Sequence, residues 1–195
     1  MRILRAADYR VMPWKNGGGT TTEIAVSPGG AGLDDFDWRI SMARVAQDGP
    51  FSGFPGIDRT LSILDGEGIV LHVADRIPVR LTGASEPLPF PADVQTQAKL
   101  IAGPVTDLNV MTRRSRASHS VERLSGSGAV ELAAEADAML VLCQVGQVEI
   151  GGVDGETLDP LDALIVDAGH PSIRLTSDGR GSIFVIRIRH IDRND

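Results

Sequence analysis

The sequence predicts an all-β fold built from two barrel-like halves. Three observations carry that reading. The 22 glycines and 11 prolines are spread along the whole chain. Between them lie short runs, apolar or alternating, which is the pattern of strands and tight turns rather than of helices. One series of elements also occurs twice. Leu61–Leu64, then Gly66 and Gly68, then 69–73 and a loop into Val79–Leu81 matches 140–143, then Gly146, then Val148–Ile150 and a loop into 161–167. Strand, glycine turn, strand, loop, strand is common to both, although any β protein shows some such pattern.

Taken in order, strands are predicted at 20–26, Trp38–Val45, 60–64, 68–73, Val79–Leu81, 108–112, 138–144, Val148–Ile150, Ala163–Asp167, 172–175 and 182–189. In Trp38-Arg39-Ile40-Ser41-Met42-Ala43 the large apolar side chains fall on one face, and Arg39, Ser41 and Ala43 on the other. Only 120–124 and 130–136 look helical. A polar stretch at 114–120 divides the chain into an N-terminal half, 1–115, expected to hold the ligand site, and a C-terminal half, 116–195.

Composition narrows the function classes. Of 195 residues 42 % are hydrophobic, enough for a core without a disulfide or metal staple. The 26 acidic residues outnumber 19 Lys+Arg and give a net charge of -7. An acidic chain gains nothing from counterion release, so a nucleic-acid partner is not expected. Cys143 is the sole cysteine, which excludes an internal disulfide. No apolar run reaches a membrane span and the first residues lack a signal-peptide pattern, so the expectation is a cytoplasmic protein with no membrane partner. Metal ligation is not expected either. His72, His119, His170 and His190 are scattered without ligand spacing.

Three segments could carry chemistry. Pro13-Trp14-Lys15-Asn16-Gly17-Gly18-Gly19-Thr20 combines an apolar wall (Trp14), a charge (Lys15), a donor–acceptor (Asn16) and glycines that let a ligand approach the backbone. A phosphate loop places its glycines before the lysine and a helix behind, so that reading fails; a flexible hairpin loop is the plain alternative. The Gly/Pro loop Asp48-Gly49-Pro50-Phe51-Ser52-Gly53-Phe54 carries two aromatics fit for an apolar lid, and it leads to Asp58 and Arg59. If Leu61 and Ile63 face the core, so does Arg59, and a core-facing arginine must be paired or must hold a ligand. A place at the barrel rim, bridged to a carboxylate, is the alternative. In Asp107-Leu108-Asn109-Val110-Met111, Asn109 and Met111 share a face; Asn109 either points inward or lies on a solvated edge.

PWKNGGGTTTEIA, WRISMA, DGPFSGFPGIDR and DLNVMTRR, in this order and spacing, resemble the HutD/Ves family. The resemblance spans nearly the whole chain and is most specific over the first ~115 residues. It implies an RmlC-like bicupin, two jelly-roll-type β-barrel halves in one chain. Typical cupins hold a metal with a His-x-His…Glu…His set, which this chain lacks, so neither a metal nor any other cofactor carries over. The family implies an accessory or regulatory protein of histidine utilisation that binds a small carboxylate such as N-formylglutamate or urocanate. The residues suited to that ligand are Trp14, Lys15, Asn16, Gly17, Gly18, Ser41, Phe51, Phe54, Asp58, Arg59 and Asn109. A metal-free enzyme acting on a small organic acid is the alternative, with Glu23, Asp58, His72 and Tyr9 as acid–base candidates. A barrel without a ligand is the third reading. A monomer or homodimer is expected.

Overall fold

The structure is a computed structural model and describes residues 1–14, 17–152, 155–170 and 172–191. It is all-β. Among the described residues the helical element is a 3-10 turn at Ala6–Asp8. Two compact units divide the chain: Arg10–Ser118 with Ile191, and Met1–Tyr9 with His119–His190.

β1 (Arg2–Leu4) precedes the first of these units in the chain but is not part of it. The unit itself follows as β2 (Arg10–Pro13), β3 (Gly19–Ser27), β4 (Trp38–Val45), β5 (Gly49–Pro50), β6 (Ile57–Asp65), β7 (Ile69–Val73), β8 (Val79–Leu81), β9 (Leu88–Pro91), β10 (Thr96–Leu100) and β11 (Val105–Arg113). They form a six-stranded sheet, β2-β3-β4-β11-β6-β9, and a four-stranded sheet, β5-β10-β7-β8. One apolar core joins the two sheets. Ala43, Leu61 and Ile63 come from the larger, and Ile69, Leu71 and Ala98 from the smaller. The period-two pattern thus builds a barrel interior, as the alternation requires.

The second unit is a seven-stranded antiparallel system of β1, β12 (Ala117–Ala133), β13 (Ala138–Val145), β14 (Val148–Ile150), β15 (Thr157–Leu158), β16 (Ala163–Asp167) and β17 (Ser172–His190). Its own core includes Met139, Val141, Cys143, Leu164 and Val185. Cys143 is a buried free thiol, as its apolar run implied. The repeated motif is real in both units. Gly66 (φ 92°) and Gly68 (φ 105°) turn β6 into β7, and Gly146 (φ 82°) turns β13 into β14.

Two expectations need correction. The segments 120–124 and 130–136 are not helical; 120–124 and the start of 130–136 lie within β12, which pairs β17. Around Leu132 the burial alternates, with Leu132 and Ala134 buried and Glu131, Ala133 and Glu135 exposed. Cross-strand pairing there overrides the helix propensity of Glu, Leu and Ala. The division by chain order into 1–115 and 116–195 also differs from the observed units. The first nine residues go with the second unit, because β1 pairs β16 through Arg2↔Ile165 and Leu4↔Ala163. The Arg5 guanidinium then binds the Asp162 and Glu156 carboxylates, each at 2.8 Å. Burial would raise the Asp162 carboxyl, but the Ala6 amide, Arg5 and the Asp159 amide outweigh it and hold the carboxyl below its usual value.

β9 escaped the sequence reading because Leu88-Pro89-Phe90-Pro91 carries two prolines. Its place at the edge of the six-stranded sheet accommodates them, since an edge strand leaves amide positions unpaired.

The turn at Gly68 gives a stability test. A Cβ there would run into the Leu81 carbonyl, and the positive φ adds backbone strain. Gly68→Ala should lower the unfolding free energy by about 2–4 kcal/mol, whereas Gly83→Ala, whose Cβ meets nothing within 4 Å, should change it by less than about 0.5 kcal/mol. Urea titrations of the two variants check the contrast; equal midpoints would contradict the turn geometry.

Candidate functional site

The site is built by the register of the six-stranded sheet. Residues directly opposite one another on antiparallel strands share a face, so each inward position heads a rung across the sheet. One rung runs Arg39–Met111–Arg59–Phe90. The next is Glu23–Ser41–Asn109–Leu61, and the third is Thr21–Ala43–Asp107–Ile63. Ala43, Leu61, Ile63 and Phe90 belong to the barrel core, which places the polar members of all three rungs on the interior face.

Arg39 and Arg59 are 5 % and 4 % exposed, and Asp107 is fully buried. Arg39 is satisfied: its Nε donates to Glu23 Oε2 at 2.8 Å and its Nη1 to Ser41 Oγ at 3.4 Å. Arg59 is not. Its Nη2 donates to the Ser52 carbonyl at a long 3.4 Å, and its Nε has no partner. Three aromatic rings wall the guanidinium, with its carbon 5.3 Å from the centroids of Phe51 and Phe54 and 5.8 Å from that of Phe90. These contacts favour the cation and still leave its N–H groups in need of an acceptor. Burial lowers the Arg59 pKa to about 10; Asp107 opposes that shift and Arg39 adds to it. The group stays charged at neutral pH.

Asp107 is the complementary group. Asn109 Nδ2 donates to its Oδ1 at 2.6 Å, while Oδ2 has no partner. Burial pushes its carboxyl up to about 7, against the pull of the Asn109 amide, the Arg59 charge and the Ala43 backbone amide.

Most of the sequence-predicted residues converge here. Ser41, Arg59 and Asn109 line the rungs, and Phe51 and Phe54 are half-buried over Arg59. Trp14 packs against the same core, and its Nε1 donates to Thr21 Oγ1 at 2.8 Å. The glycines serve the hairpin between β2 and β3. Gly17 is exposed at φ 71°, Gly18 is buried, and a Cβ on Gly19 would meet the Arg44 carbonyl and, at 3.0 Å, the Trp14 ring. Lys15 and Asn16 lie outside the described residues. Asp58 is not brought to the site. Period two turns it away from Arg59, and its carboxylate holds Arg114 at 2.8 Å.

Arg39, Asp107 and Phe90 were missed as site residues, and Glu23 was named only as an acid–base candidate. The signal for two of them was present, because Arg39 stands two residues before Ser41 and Asp107 two before Asn109. Three of the four acid–base candidates are otherwise engaged, Glu23 by Arg39, Asp58 by Arg114, and Tyr9 by the Leu161 carbonyl, to which its hydroxyl donates at 3.0 Å; the fourth, His72, alternates with the core residues Leu71 and Val73 on β7 and so faces away from the interior. The donor set does not fit a cupin metal. Two buried guanidinium groups repel a divalent cation, and among the described residues no three His, Cys, Asp or Glu side chains converge.

Two units of antiparallel β-structure, with an arginine–carboxylate row inside one of them, define a cupin-like two-barrel protein. Comparison with known proteins gives the same class. A HutD family model matches residues 6–185, and the chain belongs to the HutD family. It is 32 % identical over 180 residues to an uncharacterised 21.2 kDa protein of the hutC 3′ region of Pseudomonas putida, covering 92 % of this chain and 94 % of that one. It is 38 % identical over 118 residues to protein Ves of Citrobacter koseri, covering 58 % and 60 %. The solved structure of HutD from Pseudomonas fluorescens SBW25 (formate condition) superposes with a TM-score of 0.85 at 33 % identity, covering 98 % of this chain and 99 % of that one.

The raised carboxyl sets a pH dependence of stability. Asp107 binds its proton more tightly in the folded chain than in the unfolded one. Its contribution is fully present below the unfolded pKa near 3.8 and is lost as pH rises to about 7. Asp107→Asn removes this titration while keeping an acceptor for Asn109. Between pH 4.5 and 8 the wild type should lose roughly 2–4 kcal/mol relative to the variant, read as diverging urea midpoints. Parallel pH profiles would show that Asp107 does not titrate in this way.

Proposed function

We propose that this chain is a metal-free binding protein whose residue 10–118 barrel takes a small carboxylate, in the accessory role that its family membership supports. The observation that carries the reading is the Arg59 guanidinium, buried among three phenylalanines with its Nε unpartnered. Asp58 and Glu23 could have neutralised it, but each is committed to another arginine. A carboxylate matches the planar fork of a guanidinium, and the surrounding rings exclude the water that would otherwise compete. Asn109 and Ser41 offer hydrogen bonds to the remaining polar atoms.

The name of the P. putida relative connects that protein with the hutC region. Intermediates of histidine degradation are therefore the first ligands to try, and N-formylglutamate and urocanate are both small carboxylates. The binding takes place in the cytoplasm and needs no cofactor, nucleic acid or membrane. The sequence adds Lys15, beside three glycines, as a further cationic contact.

Thermal or denaturant unfolding with each compound tests the reading. Ligand at 100 times its dissociation constant should add about 2.7 kcal/mol of stability. Arg59→Met keeps the bulk and removes the charge; it should cost about 2–5 kcal/mol of binding and abolish the stabilisation, with the variant still folded. Lys15→Ala should weaken it. A ligand-induced shift that survives intact in Arg59→Met would place the site elsewhere.

A further inference from the structure

We infer that segment 51–54 is a lid over Arg59, which must swing aside before a carboxylate can enter, and that the Ser52 carbonyl stands in for the ligand while the lid is shut. This deepens the carboxylate-binding reading and takes the nature of the ligand from it.

The Arg59 guanidinium lies at the seam between two apolar clusters. Leu61, two residues after it on β6, belongs to the main barrel core together with Phe90, and Phe51 packs against that core. Ile57, two residues before it, belongs to a smaller cluster with Phe36, Ala92 and Met111, and Phe54 packs against that one. Segment 51–54 therefore spans the seam with one ring on each cluster, both rings within 5.3 Å of the guanidinium carbon. At 4 % exposure Arg59 has no open approach for a ligand, so binding requires one of its walls to move.

The walls differ in how firmly they are held. Met111 and Phe90 are the direct cross-strand neighbours of Arg59, on β11 and β9, and moving either disrupts a sheet ladder. The lid is fastened more lightly. The Phe51 amide donates to the Thr96 carbonyl at 2.9 Å and the Phe54 amide to the Ala92 carbonyl at 2.8 Å. Between them Ser52 and Gly53 are exposed, and the Ser52 carbonyl accepts from Arg59 Nη2 at a long 3.4 Å. On the entry side β5 pairs β10 through Gly49 and Pro50 alone. The exit side is a fixed foot. The Arg114 amide donates to the Gly56 carbonyl at 2.9 Å and its Nη2 to the Ile57 carbonyl at 3.3 Å. Its Nη1 holds Asp93 Oδ2 at 3.2 Å, and that oxygen also accepts from the Gly56 amide. A segment anchored at one end, briefly paired at the other and exposed between opens as a flap.

Opening uncovers two half-buried rings, which is unfavourable, and hydrates a buried cation, which is favourable. The two effects oppose each other, so the open form is reached by local fluctuation rather than by unfolding. A carboxylate then replaces one long carbonyl contact with a pair of charge-assisted bonds, and the rings close over it.

Amide hydrogen exchange of the full chain, read residue by residue by NMR and corrected for intrinsic rates, tests the lid with no ligand present. The Ala92 amide is the internal reference, because it donates to the Ile57 carbonyl at 2.8 Å, the same length as the Phe54 bond. The Phe51 and Phe54 amides should exchange about 100 times faster than that of Ala92. In Arg59→Met no cation gains from hydration, and the difference should shrink to about tenfold or less. Saturating N-formylglutamate should slow exchange at Phe51 and Phe54 by about tenfold or more. Equal protection at the three amides, or an undiminished contrast in Arg59→Met, would overturn the lid and leave the carboxylate site standing. If N-formylglutamate raises the urea midpoint but leaves exchange at Phe51 and Phe54 unchanged, the ligand sits elsewhere and the inference fails. If neither N-formylglutamate nor urocanate raises the midpoint, the carboxylate-binding reading is removed, and this inference with it.

Discussion

Register across β4, β11 and β6 is the constraint on which the rest of the site depends. β11 lies between the other two strands and pairs with both, so each inward residue on it has a fixed neighbour on either side. Met111 sets the level of the two arginines, Asn109 that of Ser41, and Asp107 that of Ala43 and Ile63. A slip of one residue would send every one of these side chains to the opposite face. Large apolar residues on that opposite face oppose such a slip. Ile40, Leu108 and Val110 are each 1 % exposed or less, and a slip would drive Arg39, Ser41, Asn109 and Asp107 into their apolar surroundings.

Two arginines inside one barrel meet different fates, and the contrast separates structure from function. Arg39 has a carboxylate at 2.8 Å and a hydroxyl beyond it, a self-sufficient pair that fixes β3 against β4. Arg59 has aromatic rings and a distant carboxylate. Its desolvation is incompletely compensated, and an apolar residue of similar volume would fold at least as well. The carboxylate-binding role proposed for Arg59 supplies the missing compensation, since a bound anion would complete the partners that folding leaves out.

Much of this was legible in the sequence, for reasons that differ by element. β4, β8, β14 and β16 were found at their observed bounds because each is a short apolar or alternating run between turn residues. Arg59 was readable because Leu61 and Ile63 set the parity of its strand. The same parity argument, started from Asn109, reaches Asp107, but parity alone does not distinguish a buried carboxylate from a rim one. That distinction needs the partner strands. β12 was misread because its composition favours a helix and its pairing partner lies some 50 residues away, beyond the reach of a local pattern. The ion pairs of Asp58 with Arg114 and of Glu23 with Arg39 were likewise invisible, being set by strand order rather than by spacing.

The assignment of β1 to the second unit has a consequence for biosynthesis. Its partner β16 stands about 160 residues later in the chain, and Arg5 waits equally long for Glu156 and Asp162. During translation this segment emerges early and remains unpaired while the whole of the residue 10–118 barrel is made and can close behind it. The polar and charged residues Arg2, Arg5 and Asp8 keep it hydrated through that interval. The chain thus carries one strand in waiting, and the unit it completes can close only after β16 has been made.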